Sequence, residues 1–209
     1  MTAVTPKGER RRYALISAAA ELLREGGFEA VRHRAVAQRA GLPLASTTYY
    51  FSSLDDLIAS AVEHIGMLEV AQLRARIAGL SRRRRSAETT ADMLVGLLLG
   101  SQDTPENGSP AAEQLISRYE RYIVCARQPE LREVQRRILH QRSDAVTEAV
   151  ERSGRTARVE MADALVCIVD GAVMAALVDH RKDPRIVART AVIDVIDLLA
   201  PLDQRAVSA

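Results

Sequence analysis

The stretch Ala37–Leu57, AQRAGLPLASTTYYFSSLDDL, decides how the rest of the chain is read. Ala37–Ala40 ends a short helix, and Gly41 supplies a cap where a positive φ costs little. Leu42 and Pro43 turn the chain, because the residue before a proline is pushed out of helical geometry. Pro43 can sit at or just before the first turn of the next helix, where no amide donor is missed. That second helix is expected from Leu44 to Phe51 and is rich in hydroxyls: Ser46, Thr47, Thr48, Tyr49 and Tyr50. Ser52 or Ser53 then caps a third, longer helix, and Ser53 with Asp56 has the spacing of a capping box. Helix, tight turn, short helix and long helix make a helix-turn-helix pattern.

On the N-terminal side, Met1–Pro6 reads as an arm. Lys7–Glu25 reads as a helix with one apolar stripe of Leu15, Ala18, Ala19, Leu22 and Leu23. Gly26-Gly27 stops it, and Phe28 is expected to plug the small core beneath the motif. The next helix, Arg32–Ala40, buries Val36, Ala37 and Ala40, with Arg32, His33 and Arg34 crowded at its start. Cations there oppose the helix dipole, a conflict that a DNA backbone would relieve. The chain as a whole is nearly balanced, at +2 with a pI near 8.7, so distribution matters more than total. Within residues 1–40, eight basic side chains stand against four acidic ones, an excess of +4 beside the motif.

On the C-terminal side everything reads as helix, in keeping with 3% aromatics and an abundance of Ala, Leu, Val and Arg. Ser53–Leu80 carries Leu54, Leu57, Ile58, Ala61, Val62, Ile65, Leu68 and Leu73 in helical period. About 28 residues at 1.5 Å each make a rod of roughly 40 Å, long enough to transmit a displacement to the reader. Arg82–Arg85 lies beyond that rod and reads as a solvated linker rather than a DNA patch. Further helices are expected over Ala87–Gly100, Ala111–Arg127, Pro129–Arg152, Ala157–Lys182 and Arg185–Leu199, with a loop over Gln102–Pro110. The last two are apolar over much more than one face, so they are either deeply buried or directed at another subunit.

Enzymatic signatures are absent from the sequence. His33, His64, His140 and His180 lie far apart without metal-ligand spacing, and no GxSxG, phosphate loop or dinucleotide fingerprint occurs. Neither a metal nor a cofactor is expected. Cys125 and Cys167 fall inside helical patterns without paired spacing and read as small buried apolar residues. The N-terminus is charged, with no signal peptide. Asp163, Asp170, Asp179 and Asp194 interrupt the apolar runs, which argues against a membrane span and for a cytoplasmic protein.

The segment Arg34–Leu57 resembles the DNA-binding signature of the TetR family of bacterial transcriptional regulators. Val36-Ala37, Ala40-Gly41, Tyr50-Phe51, Ser53 and Leu57 carry the resemblance, over roughly the first quarter of the chain. Pro43 stands where the family usually has a Ser or Thr cap, Thr48 where it has Tyr, and Leu54 where it has Lys. The resemblance implies an all-α fold: a three-helix helix-turn-helix domain over 1–52, then a larger helical effector-binding and dimerisation domain over 53–209. Contacts to double-stranded operator DNA are expected from His33, Arg34, Leu44, Ala45, Ser46 and Thr48, together with Tyr49, Tyr50 and Ser53. With the usual lysine missing at Leu54, Lys7, Arg10 and Arg11 are expected to carry more of the backbone attraction.

The resemblance also implies a site for a small apolar or amphipathic effector, drawing on His64, Met93, Leu97 and Ile116, with Tyr119, Tyr122, Ile123 and Met174. From sequence alone the same residues are equally an ordinary core. A homodimer is implied through Val169, Ala172, Ala175 and Ala176 of one helix and Val192 and Ile196 of the next. The expected function is thus a ligand-responsive repressor on a near-palindromic operator. The alternative is a helical DNA-binding regulator without a small-molecule site, controlled by a protein partner. A helical adaptor that binds no DNA is a third class.

Overall fold

A computed structural model describes residues 6–100, 110–179 and 181–203. The expected arm, apart from Pro6, and the loop before Pro110 lie outside the described residues. The described residues form helices α1 (Pro6–Ala30), α2 (His33–Arg39), α3 (Ala45–Tyr50), α4 (Leu54–Ala78) and α5 (Ala87–Leu99). They continue with α6 (Pro110–Arg127), α7 (Pro129–Arg152), α8 (Val159–Val178) and α9 (Pro184–Leu199). Among the described residues the only β pairing is one isolated antiparallel bridge, Arg155 to Leu202. The fold is all-α, as expected from the sequence.

The chain divides into two compact units. The first takes the described residues up to Glu69 with Glu120–Ile138; the second takes Val70–Tyr119 and everything from Leu139 on. Residues of α4, α6 and α7 therefore fall in both.

In the first unit the α1 stripe is buried through Leu15, Ala18, Ala19 and Leu23, joined by Ile16 and Ala20. Helical geometry breaks at Gly26 and Gly27, where expected, and resumes beyond this kink to Ala30. Val31, Val36, Leu57, Ala61, Val62 and Ile65 complete the core, each buried Val, Leu or Ile side chain contributing about 1.5–3 kcal/mol. The aromatic plug is Phe51, not Phe28, which is only half-buried. Phe51 ends α3 in extended geometry and faces inward, with the Arg12 guanidinium over its ring at 5.1 Å. On α4, Leu54 is half-buried and Leu68 exposed, so the apolar stripe is narrower than its period suggested. Gly66 is a packing requirement: a Cβ there would collide with the Ile138 side chain of α7.

In the second unit α8 packs on α9, and α5 packs on both. The largest fully buried side chain is a cation, Arg155. Its Nε donates to Thr90 Oγ1 at 3.2 Å, and Nη1 donates to Asp197 Oδ1 at 2.7 Å and the Ala200 carbonyl at 2.9 Å. The turn before α8 is thereby tied to the end of α9, and Thr156 N–H adds a bond to the Pro201 carbonyl. Held this way, residues 155–157 cannot be helical, so α8 starts at Val159 rather than Ala157. It stops at Val178, short of Lys182, because Asp183 caps a new helix. The Asp183 Oδ1 accepts from Arg185 and Ile186 amides, with Pro184 in the first turn.

Two further expectations change. Arg85 is not part of a solvated linker: it is buried and donates to the carbonyls of Ser81, Arg83 and Arg152. Arg82, Arg83 and Arg84 are exposed, as expected. Cys125 is buried and its thiol is pushed up to about 11 by desolvation, whereas Cys167 is exposed on α8. By length and composition α8 could cross a membrane, at a mean hydropathy of 2.0. Yet Asp170 in its middle is ion-paired to Arg142 of α7, which fits a packed helix.

Candidate nucleic-acid interface

The turn between α2 and α3 is built as its residues dictate. Gly41 takes φ 64°, its N–H donates to the Gln38 carbonyl at 3.2 Å, and the Leu42 N–H donates to the Ala37 carbonyl at 3.0 Å. This is a Schellman closure, in which a left-handed residue satisfies the last carbonyls of a helix. Pro43 precedes α3, and its carbonyl accepts from Ser46 N–H at 2.9 Å. Helix α3 runs from Ala45 to Tyr50, one residue shorter at each end than expected. Leu44 occupies the cap position with no side-chain cap bond, so the Ser or Thr that Pro43 displaces is not replaced.

Within α3 the two faces are cleanly separated. Thr47 is fully buried, its hydroxyl donating to the Leu44 carbonyl at 2.8 Å. Leu44, Ala45, Thr48 and Tyr49 all point outward, Tyr49 at 81% exposure. Ser46 and Tyr50 are half-buried, and the Tyr50 ring meets Tyr49 edge-on at 4.9 Å. Ser53 caps α4 by accepting the Asp56 N–H at 3.0 Å. Asp56 reaches back to the Ser52 N–H at 3.0 Å, one residue beyond the expected reciprocal bond.

Charge around α3 is sorted by pairing. Arg39 bonds Glu25 and Glu21, and Arg32 bonds Glu29, so three of the four acidic groups of the segment are already matched. Hydrogen bonds from Arg39 hold the Glu25 carboxyl below the usual carboxylate range. Arg32 also donates to the Val31 carbonyl at 3.1 Å, so it braces the α1–α2 turn instead of standing free. Arg34 is exposed without an ion pair among the described residues, and the same holds for Lys7, Arg10 and Arg11. Those three lie on the opening turns of α1. His33 is half-buried, and its Nδ1 has no hydrogen-bond partner within the described chain.

The residues expected at an effector site are divided between the units. His64, Tyr122 and Ile123 belong to the first; Met93, Leu97, Ile116, Tyr119 and Met174 belong to the second. His64 is half-buried, edge-on to Tyr13 at 5.3 Å, and burial with the nearby Arg24 charge lowers its pKa. Ile123 and Met174 are exposed, whereas Leu97 and Tyr119 are buried. The Tyr119 hydroxyl donates to Asp170 Oδ1 at 3.2 Å, and Arg142 clamps the same carboxylate with two bonds of 2.5 and 2.9 Å. Arg142 was not singled out in the sequence, and Asp170 was read only as a break in an apolar run; their pairing depends on two separate helices. Ser153, likewise unforeseen, donates its hydroxyl to the Met93 sulfur at 3.5 Å.

Helices α8 and α9 divide their apolar excess between two directions. Val169, Ala176, Val192 and Ile196 are buried against the chain's own core, so these four expected interface positions are already covered. Ala172 is half-buried and Ala175 exposed. Also exposed on the two helices are Met174, Ile186, Val178 at 87% and Leu198 at 83%. Among the described residues, no group of three His, Cys, Asp or Glu is placed to hold a metal ion.

Several solved structures share this fold. The transcriptional regulator SCO7518 from Streptomyces coelicolor A3(2) superposes with a TM-score of 0.68 at 22% identity, over 89% of this chain and 98% of that one. The multidrug binding protein EbrR, solved with imidazole, gives 0.64 at 26% identity, over 88% and 94%. A transcriptional regulator from Saccharomonospora viridis in complex with choline gives 0.66 at 17% identity, over 92% and 98%. No curated protein matches the chain. Residues 15–61 match the family model for bacterial regulatory proteins of the tetR family, around the reader just described. Residues 85–198, more than half of the 209, match the tetracyclin repressor-like C-terminal domain. The chain belongs to the TetR family and is a DNA-binding transcription regulator.

Proposed function

We propose that the protein is a cytoplasmic repressor that binds a near-palindromic operator as a homodimer and releases it when a small apolar or amphipathic effector binds. The observation that carries this reading is the sorted surface of α3: Leu44, Ala45, Thr48 and Tyr49 outward, Thr47 and Phe51 inward. In helix-turn-helix proteins such a helix lies in the major groove, and a dimer addresses two half-sites about 34 Å apart. Residues 1–52 serve as the reader and 53–209 as the effector-binding and dimerisation part. Arg34 reads a base edge, while Lys7, Arg10 and Arg11 grip phosphates. His33, Ser46, Tyr50 and Ser53 complete the proposed set of DNA contacts.

The effector limb is supported by EbrR, a multidrug binding protein at 25% identity in its ethidium complex. An effector that prefers one arrangement of the reader shifts the population away from DNA, with α4 as the rod that carries the displacement. The outward α8–α9 face of Met174, Ala175, Val178, Ile186 and Leu198 supplies the surface for the second subunit. No chemical step is assigned to the protein.

Operator selection from genomic DNA tests the reading. The expected result is one short near-palindrome, protected as two half-sites and bound with a Kd on the order of 10⁻⁸ to 10⁻¹¹ M. Equal binding to all fragments, or to none, would overturn it.

A further inference from the structure

Inside the first unit, α4, α6 and α7 meet through specific polar and close contacts. The Arg121 Nη2 donates to Glu69 at 2.7 Å, the Arg137 Nη2 donates to Glu63 at 2.9 Å, and Gly66 lies directly against Ile138. Gln135 lies on the inner face of α7, between the buried Leu131 one turn before and Ile138 one turn after. It is 5% exposed, yet neither its amide oxygen nor its amide nitrogen has a hydrogen-bond partner among the described residues. Arg121 is 4% exposed, and its Nε–H is likewise unpartnered. Buried polar side chains in native proteins are overwhelmingly hydrogen-bonded, so three unmet groups on two helices that both contact α4 between Glu63 and Glu69 point to something that meets them. A leucine at 135 would have continued the apolar stripe.

We infer that Gln135 and Arg121 form the polar end of an effector site in the first unit, and that it takes a small neutral molecule with a carbonyl beside an N–H, such as a lactam or cyclic imide. The ligand carbonyl accepts from Arg121 Nε–H and the Gln135 amide nitrogen, and the ligand N–H donates to the Gln135 amide oxygen. The neutral class follows from charge. The Arg121 guanidinium is already matched by Glu69, and the Cys125 thiol one turn along α6 is held neutral by burial. A carboxylate or an ammonium ion would enter without a counter-charge, at a desolvation cost the site does not repay. The inference rests on the effector-responsive reading above and adds the chemistry of the ligand.

The test uses the full chain and a panel of 2-pyrrolidinone, 2-piperidinone and succinimide, with butyrate and choline as charged controls. The side-chain amide resonances of Gln135, assigned through bonds in the wild type, are followed during titration. The expected result is a saturable shift with at least one neutral probe, none with the charged ones, and at least tenfold weaker binding to Gln135→Met. That variant should unfold at the same or a higher temperature, because it removes an unmet amide. No shift with any neutral probe, tighter binding of a charged control, or undiminished binding by Gln135→Met each overturns the assignment. Operator binding is measured on the same samples. A chain that binds operator but no neutral probe refutes this inference alone, whereas loss of operator binding by the wild type strikes the broader reading.

Discussion

Arg39 of α2 grips Glu25 of α1 with two parallel bonds, Nη1 to Oε1 at 2.9 Å and Nη2 to Oε2 at 2.7 Å. Glu21 joins the same guanidinium at 3.3 Å. The groups are substantially exposed, so the pair adds little to global stability. Its effect is geometric: it fixes the angle at which α2, the Gly41 turn and α3 leave α1. Arg39→Met should therefore leave the far-ultraviolet helix signal intact but weaken operator binding by about three- to tenfold, roughly 1 kcal/mol. Anisotropy titration with labelled operator checks this, and unchanged affinity would show that packing alone sets the angle.

The same pair has a pH signature. Arg39 lowers the Glu25 pKa below its ordinary 4.5, so the folded state binds this proton less readily than the unfolded one. Stability from the pair is then fully present above the ordinary value and lost as pH falls through the lowered folded value. The unfolding midpoints of wild type and Arg39→Met should differ slightly at neutral pH and converge in acid. A difference that persists or grows below the carboxylate range would contradict that sign.

Base reading and phosphate grip separate by mutation. Arg34→Ala should cost about 1–3 kcal/mol on the specific site and relax one operator position, while sparing random DNA. Replacing Lys7, Arg10 and Arg11 with glutamine should weaken binding to all DNA and flatten the salt dependence by about 0.9 per lost phosphate contact. Substitution suits this test better than truncation, because these residues open α1 and deletion would remove its first turns. Equal losses on specific and random DNA for Arg34→Ala would reassign it to the backbone.

Much of the reader was legible because its signals are local. A glycine that must take positive φ, a proline that turns the chain and a Ser-x-x-Asp cap each act within four residues. Gly41 and Ser53 accordingly behave as read, and α7 keeps its expected ends, Pro129 and Arg152. What was illegible depends on distant partners. Period alone cannot distinguish Phe28 from Phe51 as the plug, nor see that Arg85 donates to a carbonyl 67 residues away. The apolar excess of α8 and α9 was plain in the sequence. Which residues turn inward is decided by packing among α5, α8 and α9.

The Arg142–Asp170 pair is a test of buried charge in the second unit. Both side chains are largely buried, and burial pushes the Tyr119 phenol that donates to the same carboxylate well above its ordinary range. Asp170→Asn should cost about 3–5 kcal/mol, because it removes one partner of a desolvated pair. Tyr119→Phe, which removes a single neutral donor, should cost about 1 kcal/mol. Urea unfolding of the two variants gives the comparison. Equal costs would mean that the guanidinium finds another acceptor when Asp170 is neutral.

The final test concerns the second subunit, on which a two-half-site mechanism depends. Neighbouring residues of a helix point about 100° apart, so Ala175 and Ala176 interrogate different surfaces. Ala176 is buried within its own chain. A glutamate there would place an unpartnered carboxylate in the core at a cost of several kcal/mol, and the chain should lose its cooperative fold. Ala175 is exposed on the α8 face that also carries Met174 and Val178. Ala175→Glu should therefore leave the fold of the single chain unchanged, while burying an unpaired charge only when two chains meet. The expected result is a folded monomer by sedimentation, with operator affinity reduced at least a hundredfold, or about 2.7 kcal/mol, as the second reader is lost. A dimeric Ala175→Glu protein with normal operator binding would remove the interface from this face of α8. A folded, dimeric Ala176→Glu protein would show that the core tolerates the charge and that the burial argument fails.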